Sequence, residues 1–338
     1  MPPDEPALRT IHVGLGPIGC EIARAALRAP GVEVAAAIDV DPAKAGIDLG
    51  TVLGLGLELG VVVSDDPEAT LAEAGAGAVV LHSTGSRLAA VAGQLEQALA
   101  HGAWVVSTCE ELSYPWLTEP ELADRLDALA SDHRVGLVGA GVNPGFVMDA
   151  LPATLLTATE AVTAIDIRRV VDTASRRPQL RAKTGVGTTP TAFEEGVAAG
   201  VLGHVGLRES AHLVASAAGW RLESSLESIE PVLAAGANGA GERVIGVHQT
   251  VRGIVAGEER LLLNLTMAVG APDPRDEIRI DGTPSLELVV PGGVAGDRAT
   301  AANVLSCARR VTRAGSGLRT ILDLPLAARS GRGILSAS

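Results

Sequence analysis

The segment "TIHVGLGPIGCEIARAAL" (Thr10–Leu27) begins with a short apolar run, continues through a glycine-rich turn and ends in a stretch where apolar residues recur with a different spacing. In the first part apolar residues follow one another, as in a buried strand, and in the second part they recur with helical spacing. The helical positions are Ile18, Ile22, Ala25 and Ala26. A strand that passes through a tight turn directly into a helix is the first unit of a doubly wound α/β fold.

The three glycines of this turn, Gly14, Gly16 and Gly19, have GxGxxG spacing. The first permits a tight turn, the second lets the backbone approach a pyrophosphate, and the third allows close packing of helix and strand. Pro17 and Ile18 open the helix, whose free N–H groups and positive dipole end favour a phosphate. The spacing therefore predicts a dinucleotide site.

Asp39 ends the second predicted strand, 20 residues after Gly19, as the dinucleotide pattern requires. Its carboxylate would accept hydrogen bonds from ribose hydroxyls and repel a 2′-phosphate, which favours NAD. Lys44 is close enough in sequence to soften this preference, so that NADP stays possible. Lys44 and Lys183 are the only lysines in the chain.

Further short buried strands alternate with helices as far as residue 145, which predicts a Rossmann-type, doubly wound parallel sheet. After Gly145 the pattern changes. "AVTAIDIRRVVDT" alternates with period two, and later segments suit an open, mainly antiparallel sheet in a second α+β domain. We expect a dinucleotide-binding domain at 1–145, completed by 297–338, and a substrate-binding and dimerisation domain at 146–296.

Two local features of the second domain give more detailed expectations. "SRRPQLRAKTGVGTTP" (175–190) reads as a long basic loop, and Thr191 and Glu194 have the spacing of a capping box at the start of a helix. Arginines cluster around the loop and could bind a substrate carboxylate, contact a cofactor phosphate or only keep the loop solvated. They are Arg168, Arg169, Arg176, Arg177 and Arg181.

Composition excludes several classes of protein. The chain has 338 residues, a formal net charge of −13 and 2% aromatic residues, which argues against nucleic-acid or anionic-membrane partners and against aromatic binding platforms. No apolar run approaches the length of a membrane span. The three cysteines have no CxxC spacing, so we expect a reduced, cytoplasmic protein, and no metal site is predicted.

Ligands of open parallel sheets bind outside the carboxyl ends of the strands. At three predicted strand ends, Ser83 and Thr84 offer hydroxyls near a nicotinamide ribose, Asn143 offers an amide for a carboxamide, and Glu110 and Glu111 offer carboxylates beside the ring. His82, in the same region, is expected to hydrogen-bond to backbone. Cys109 has no evident histidine partner and reads as a small buried residue.

Five further residues are candidates for the substrate pocket: Tyr114, Phe146, Val147, Thr173 and His204. All but Thr173 have a structural alternative. Tyr114 could pack beneath its loop, Phe146 and Val147 could be ordinary core, and a lone histidine is more often structural than catalytic.

Several stretches together resemble the 2,4-diaminopentanoate dehydrogenase family and related native amine dehydrogenases, within the dihydrodipicolinate reductase-like Rossmann enzymes. They are "GLGPIG" (14–19), "STCEELSYP" (107–115), "GVNPGFVMD" (141–149), "GHVGLRES" (203–210), "PGGVAGDRATAANV" (291–304) and "GLRTILDLP" (317–325). The resemblance implies NAD(P)-dependent oxidative deamination of an amine, or reductive amination of a ketone or aldehyde with ammonia. It also implies a catalytic glutamate in the "CEE" motif, and we favour Glu110 over Glu111.

An acid suits this chemistry, because an ammonium must lose a proton before it can release hydride, and an iminium cation needs a counter-charge. Homoserine dehydrogenase-like enzymes carry a lysine at the strand end where Glu110 falls.

Alternatives remain at this stage. "KTGVGTTPTAF" (183–193) faintly resembles a loop of dihydrodipicolinate reductases, but their paired histidines and nearby lysine are missing. A non-catalytic NAD(H) sensor is possible too, although it would not need Glu110. A homodimer is expected by analogy with the fold.

Overall fold

The computed structural model describes residues 7–174, 178–235 and 242–325. These residues form two compact units, one of residues 7–145 with 296–325 and the other of residues 146–295. The strands are β1 (Leu8–Val13), β2 (Val32–Ile38), β3 (Val63–Ser64), β4 (Val79–His82), β5 (Trp104–Ser107), β6 (Gly136–Gly139), β7 (Glu160–Asp172), β8 (Ser224–Ala235), β9 (Glu242–Val255), β10 (Glu258–Ala268), β11 (Arg275–Thr283), β12 (Leu286–Pro291) and β13 (Gly317–Arg319).

The helices are α1 (Pro17–Arg28), α2 (Leu49–Val52), α3 (Pro67–Ala74), α4 (Leu88–Ala100), α5 (Pro120–Asp132), α6 (Ala150–Leu156), α7 (Pro178–Lys183), α8 (Pro190–Ala198), α9 (Leu207–Ala217) and α10 (Gly296–Val311). Short 3₁₀ helices cover Glu110–Ser113 and Pro115–Leu117. Among the described residues no helix is long and apolar enough to cross a membrane.

The first unit is built on a seven-stranded sheet in the order β13-β6-β5-β4-β1-β2-β3, and its strand pairs are parallel. Its four central strands contribute fully or almost fully buried side chains to one core, which explains their continuous apolar runs. Because the strands are parallel, the carboxyl ends of β1, β4, β5 and β6 meet at one edge. The predicted Rossmann-type sheet is confirmed.

The second unit is built on a six-stranded sheet in the order β12-β11-β7-β10-β9-β8. Only β7 and β10 pair in parallel among its described strands, so the predicted mainly antiparallel sheet is also confirmed. Side chains such as Ile167, Val251 and Leu263 are buried on one face, and α8 and α9 pack on the sheet. The opposite face, called here the open face, stays partly or fully exposed at Asp166, Arg168, Leu226, Thr250, Arg252, Leu262, Asn264, Glu277 and Arg279.

Two local expectations for the second unit are wrong. Helix α8 begins one residue before Thr191: Thr189 is its N-cap and accepts from the N–H of Ala192 at 3.2 Å, while Pro190 occupies the first helical position. Proline is well suited to that position because it has no N–H to leave unpaired. Residues 178–183 of the predicted basic loop form α7, and residues 175–177 lie outside the described part of the chain.

The arginine cluster contains a buried ion pair. Arg169 contacts Asp276 at 2.7 Å, and both side chains are almost inaccessible. Arg169 also donates to the carbonyl of Val294 at 2.9 Å, and Asp276 accepts from the N–H of Val294 at 2.7 Å. Arg169 thus anchors backbone, while Arg168 lies on the open face. Arg176 and Arg177 lie outside the described residues.

Candidate active site

Four strand ends of the first unit form the candidate site. Gly14 follows β1, Ser83 follows β4, Thr108 follows β5 and Ala140 follows β6. A backbone hydrogen bond connects the ends of two neighbouring strands: the N–H of Ser83, after β4, donates to the carbonyl of Val13, the last residue of β1. The loops after these strands therefore share one edge of the sheet, as ligand-binding loops of open α/β sheets do.

The glycine turn has the geometry that its spacing predicts. Gly14 has φ +85°, and a Cβ on Gly19 would overlap the carbonyl oxygen of Gly14. Gly16 is the N-cap of α1, and a Cβ built there meets nothing within 4 Å. No side chain caps this end of α1 and no acid lies in its first turn. The open helix end thus fits an anionic pyrophosphate.

Asp39 is fixed by three donors beside this turn. It accepts from Leu15 N–H at 2.6 Å, from Asp41 N–H at 2.9 Å and from the Lys44 ammonium at 3.0 Å. Burial acts to raise the pKa of Asp39, but the backbone hydrogen bonds and Lys44 outweigh it, so the pKa lies below its ordinary value. Lys44 also contacts Asp41 at 3.2 Å. The acid is ionised and already partly neutralised.

Ser83 and Thr84 line the exit of β4 close to the glycine turn. Ser83 Oγ donates to the carbonyl of Gly14 at 2.8 Å. A Cβ placed on Gly14 would lie 2.8 Å from Thr84 Cγ2, so the threonine methyl faces the turn. The Thr84 hydroxyl donates to Gln94 Oε1 at 2.7 Å and lies 2.7 Å from His82 Nε2.

Glu111 has a structural role. Its side chain is buried, with Oε1 accepting from Arg87 at 2.7 Å and Oε2 accepting from the N–H of Leu88 at 2.7 Å. Leu88 is the first residue of α4, so the carboxylate caps that helix and meets its positive end. Both oxygens are thereby used in holding the loop after β4.

Glu110 lies between two anchored neighbours. On one side Cys109 donates its N–H to Ser107 Oγ at 3.0 Å and its Sγ–H to the carbonyl of Ser86 at 3.2 Å. On the other side the N–H of Glu111 reaches the same carbonyl at 3.3 Å. The two acids lie on a 3₁₀ helix, where consecutive side chains diverge by about 120°. Glu110 is partly exposed while Glu111 is buried.

The thiol of Cys109 is not set up as a nucleophile. Burial raises the pKa of Cys109 to about 12, so the thiol stays protonated. Tyr114 follows on the same loop and makes an edge-to-face contact with Trp116, with ring centroids 5.5 Å apart. The packing alternative for Tyr114 thus has a physical basis.

Asn143 lies in the loop after β6, before a cis peptide bond to Pro144. Its Oδ1 is buried and has no hydrogen-bond partner among the described residues. A buried amide oxygen without a partner is costly, and a ligand N–H would satisfy it. This acceptor fits the carboxamide of a nicotinamide ring.

The other candidate residues belong to the second unit. Val147 and Thr173 are fully buried, and Phe146 is half-buried. The hydroxyl of Thr173 has no partner among the described residues. The backbone at His204 is held by one side chain, because Gln249 Oε1 accepts from its N–H at 2.8 Å and Gln249 Nε2 donates to its carbonyl at 2.9 Å.

The structure also shows side-chain contacts that the sequence pattern did not reveal. His82 contacts three side chains, Ser107, Gln94 and Thr84, instead of the expected backbone. Arg87 and Ser86 anchor the loop around Glu110, and Gln249 anchors His204. Apart from His82 and Thr84, which are two positions apart, these contacts join residues 12 to 45 positions apart, and neither spacing nor periodicity indicates such partners. The one available signal was their proximity to predicted strand ends.

Comparisons with known proteins identify the family. Residues 146–333 match the family model of the 2,4-diaminopentanoate dehydrogenase C-terminal domain. The chain belongs to the 2,4-diaminopentanoate dehydrogenase family. The predicted family is confirmed, and with it the predicted class, an NAD(P)-dependent oxidoreductase that acts on amines.

Individual relatives extend the match. A 2,4-diaminopentanoate dehydrogenase of Acetoanaerobium sticklandii is 33% identical over 239 residues, which cover 66% of each chain. An amine dehydrogenase of Streptomyces virginiae is 27% identical and covers 96% of this chain and 98% of its own. The solved structure of an amine dehydrogenase from Mycobacterium smegmatis has a TM-score of 0.82 at 27% identity, covering 95% of this chain and 97% of its own.

The contrast between Gly19 and Gly16 gives a first prediction. We expect Gly19→Ala to lower the melting temperature and abolish NADH binding, because its methyl group would overlap the Gly14 carbonyl. We expect Gly16→Ala to keep the melting temperature and weaken NADH binding at least tenfold, since a methyl group there has space but would meet the pyrophosphate. Thermal unfolding and NADH fluorescence titration measure both effects.

The matched control is Gly93→Ala, in the middle of α4, where a Cβ also meets nothing within 4 Å. It should bind NADH normally. If Gly16→Ala did so too, the turn would not be the pyrophosphate site.

Proposed function

We propose that Glu110 is the catalytic base and cation stabiliser of this amine dehydrogenase. The observation that carries the proposal is the division between the two acids: Glu111 is buried and uses both oxygens on Arg87 and Leu88, whereas Glu110 is partly exposed at the carboxyl end of β5. The anchors on Cys109 and Glu111 hold the Glu110 backbone from both sides. A base held in this way is pre-organised for one position.

In the oxidative direction, the Glu110 carboxylate takes a proton from the substrate ammonium and frees the nitrogen lone pair. A nicotinamide dinucleotide held by the strand ends of the first unit would supply the redox chemistry, the exchange of a hydride with the amine-bearing carbon. Glu110 passes that proton to solvent, and its carboxylate then lies beside the iminium cation and stabilises the charge. Water converts the iminium to a ketone or aldehyde and ammonia, and reductive amination is the reverse sequence.

The remaining candidates take binding roles in this proposal. The N-terminal end of α1, Ser83, Thr84 and Asn143 would hold the dinucleotide. Tyr114, Phe146, Val147, Thr173 and His204 would form the substrate pocket around a small amine, ketone or aldehyde, with residues 146–296 as the substrate-binding domain. The buried hydroxyl of Thr173, which lacks a partner among the described residues, supports a ligand near the carboxyl end of β7.

We propose NAD as the preferred cofactor, with NADP accepted. Asp39 carries a negative charge at the position that meets the adenosine ribose, which disfavours a 2′-phosphate. Lys44 offsets part of that charge by contacting both Asp39 and Asp41. Two of its three N–H groups are used there, and the third can meet a ribose oxygen or a phosphate.

The second prediction tests the two acids. Glu110→Gln should lower kcat/KM by about 10²–10⁴-fold and leave NADH affinity within twofold, because the variant loses the base but no cofactor contact. Glu111→Gln, the matched control, should lower the melting temperature and reduce turnover far less. The measurement is ammonium-dependent NADH consumption with a panel of ketones, aldehydes and keto acids.

Three outcomes would contradict the proposal. Full turnover by Glu110→Gln would remove the assigned base. NADH consumption without ammonium would indicate a carbonyl or imine reductase, and no consumption with any compound would favour an NAD(H) sensor.

The third prediction concerns Lys44. Lys44→Met should weaken NADPH binding about tenfold or more and change NADH binding less than threefold, since Asp39 then repels the 2′-phosphate without compensation. Fluorescence titration measures both affinities. Lys183→Met removes the other lysine, in the second unit, and should change neither affinity. Equal losses for both cofactors in Lys44→Met would show that Lys44 does not discriminate between them.

We also propose a cytoplasmic homodimer that forms through the open face of the second sheet. The three cysteines are free, as in a reducing compartment. The open face carries both charge signs in adjacent rows: Arg279 pairs in register with Asp166, and Glu277 with Arg168. Such a surface is complementary to a second copy of itself related by a two-fold axis.

The fourth prediction tests this interface. Thr250→Arg, in the middle of β9 on the open face, should convert a dimer into a monomer because each copy then brings an added positive charge into the interface. Sedimentation equilibrium at micromolar concentration measures the mass. Thr70→Arg, at a partly exposed position of α3 in the first unit, is the control and should remain dimeric. A monomeric wild-type chain, or a dimeric Thr250→Arg variant, would reject the interface.

A further inference from the structure

A series of hydrogen-bonded side chains connects the carboxyl ends of β4 and β5. His82 and Ser107 are the last residues of these strands, they pair in register, and each is at most 1% exposed. His82 Nδ1 lies 2.7 Å from Ser107 Oγ, and Nε2 lies 2.9 Å from Gln94 Oε1 and 2.7 Å from Thr84 Oγ1. The imidazole therefore connects a fully buried serine with a threonine at the cofactor edge.

The groups at the two ends of this hydrogen-bonded series determine where the protons lie. At one end the N–H of Cys109 can only donate, so Ser107 Oγ accepts from it; when Nε2 carries the imidazole proton, Nδ1 is an acceptor and Ser107 gives it the hydroxyl proton. At the other end Gln94 Oε1 can only accept, so His82 carries its proton on Nε2. Burial lowers the pKa of His82 to about 4, which keeps the ring in this neutral form.

The same reasoning determines the direction of the hydrogen bonds at Thr84. Its hydroxyl proton goes to Gln94 Oε1, and its oxygen shares the single Nε2 proton of His82 with Gln94 Oε1, which leaves one lone pair on the threonine oxygen. The residue is exposed and its methyl group faces Gly14 in the dinucleotide turn. Thr84 can thus offer a ligand an acceptor but no donor.

We propose that His82 is a positioning residue, which fixes the Thr84 hydroxyl as an acceptor for a hydroxyl or amide donor of the nicotinamide dinucleotide. The inference deepens the proposed cofactor site and rests on it. It does not depend on the catalytic role of Glu110, because its readout is NADH binding and not turnover.

The fifth prediction follows. Thr84→Val should raise the Kd for NADH about two- to tenfold, the loss expected for one neutral hydrogen bond, and Thr84→Ser should restore the wild-type value. His82→Phe should raise the Kd by the same factor, and adding Thr84→Val to it should raise the Kd no further. Ser107→Ala, which removes the Nδ1 partner and the acceptor of the Cys109 N–H, should have a smaller effect in the same direction. NADH fluorescence titration is the measurement.

A merely structural His82 gives a different result: a lower melting temperature with an unchanged NADH Kd for the folded protein. His101→Phe, a surface histidine of the same unit, is the control and should bind NADH as the wild type does. Wild-type affinity in Thr84→Val, or additive effects in the double variant, would overturn the proposal. Should His82→Phe not fold, Thr84→Val and Ser107→Ala still decide it, since both leave the imidazole in place.

Discussion

The candidate site depends on the hydrogen bonds made by the buried carboxylate of Glu111. A carboxylate is expensive to bury, and here the cost is offset by Arg87 and by the N–H of Leu88 at the positive end of α4. Hydrogen bonds to charged groups contribute about 1.5–3 kcal/mol each. Because one residue of the loop after β5 caps the helix after β4, the two loops keep a fixed relation, and Glu110 is presented between fixed neighbours.

Features determined by nearby residues could be predicted from the sequence. The glycine turn is one example, since Gly14, Gly16 and Gly19 have separate steric roles that follow from their spacing. The buried strands are another, because a sheet covered on both faces requires continuous apolar runs. Asp39 was predicted for the same reason: the end of the second strand lies beside the turn in any fold of this class.

Features that depend on distant partners could not be predicted. His82 contacts Ser107, which is 25 residues away, and Arg169 contacts Asp276, which is 107 residues away, and no periodic pattern connects such pairs. The helix start at Thr189 was missed for a local reason. Thr191 and Glu194 have capping-box spacing, but Thr189 with Pro190 is the stronger start because proline fixes the backbone angle of the first helical residue.

The adjacent acids show how a strand end can combine rigidity with reactivity. A carboxylate that caps a helix start and binds an arginine has both oxygens engaged, as Glu111 does. With two acids on a 3₁₀ turn, Glu111 fixes the loop, and the partly exposed Glu110 is the acid that we propose for the chemistry. The neutral imidazole of His82 fits this arrangement. It orders the neighbouring loop through hydrogen bonds and adds no positive charge. A positive charge there would repel an ammonium or iminium ion at the same edge of the sheet.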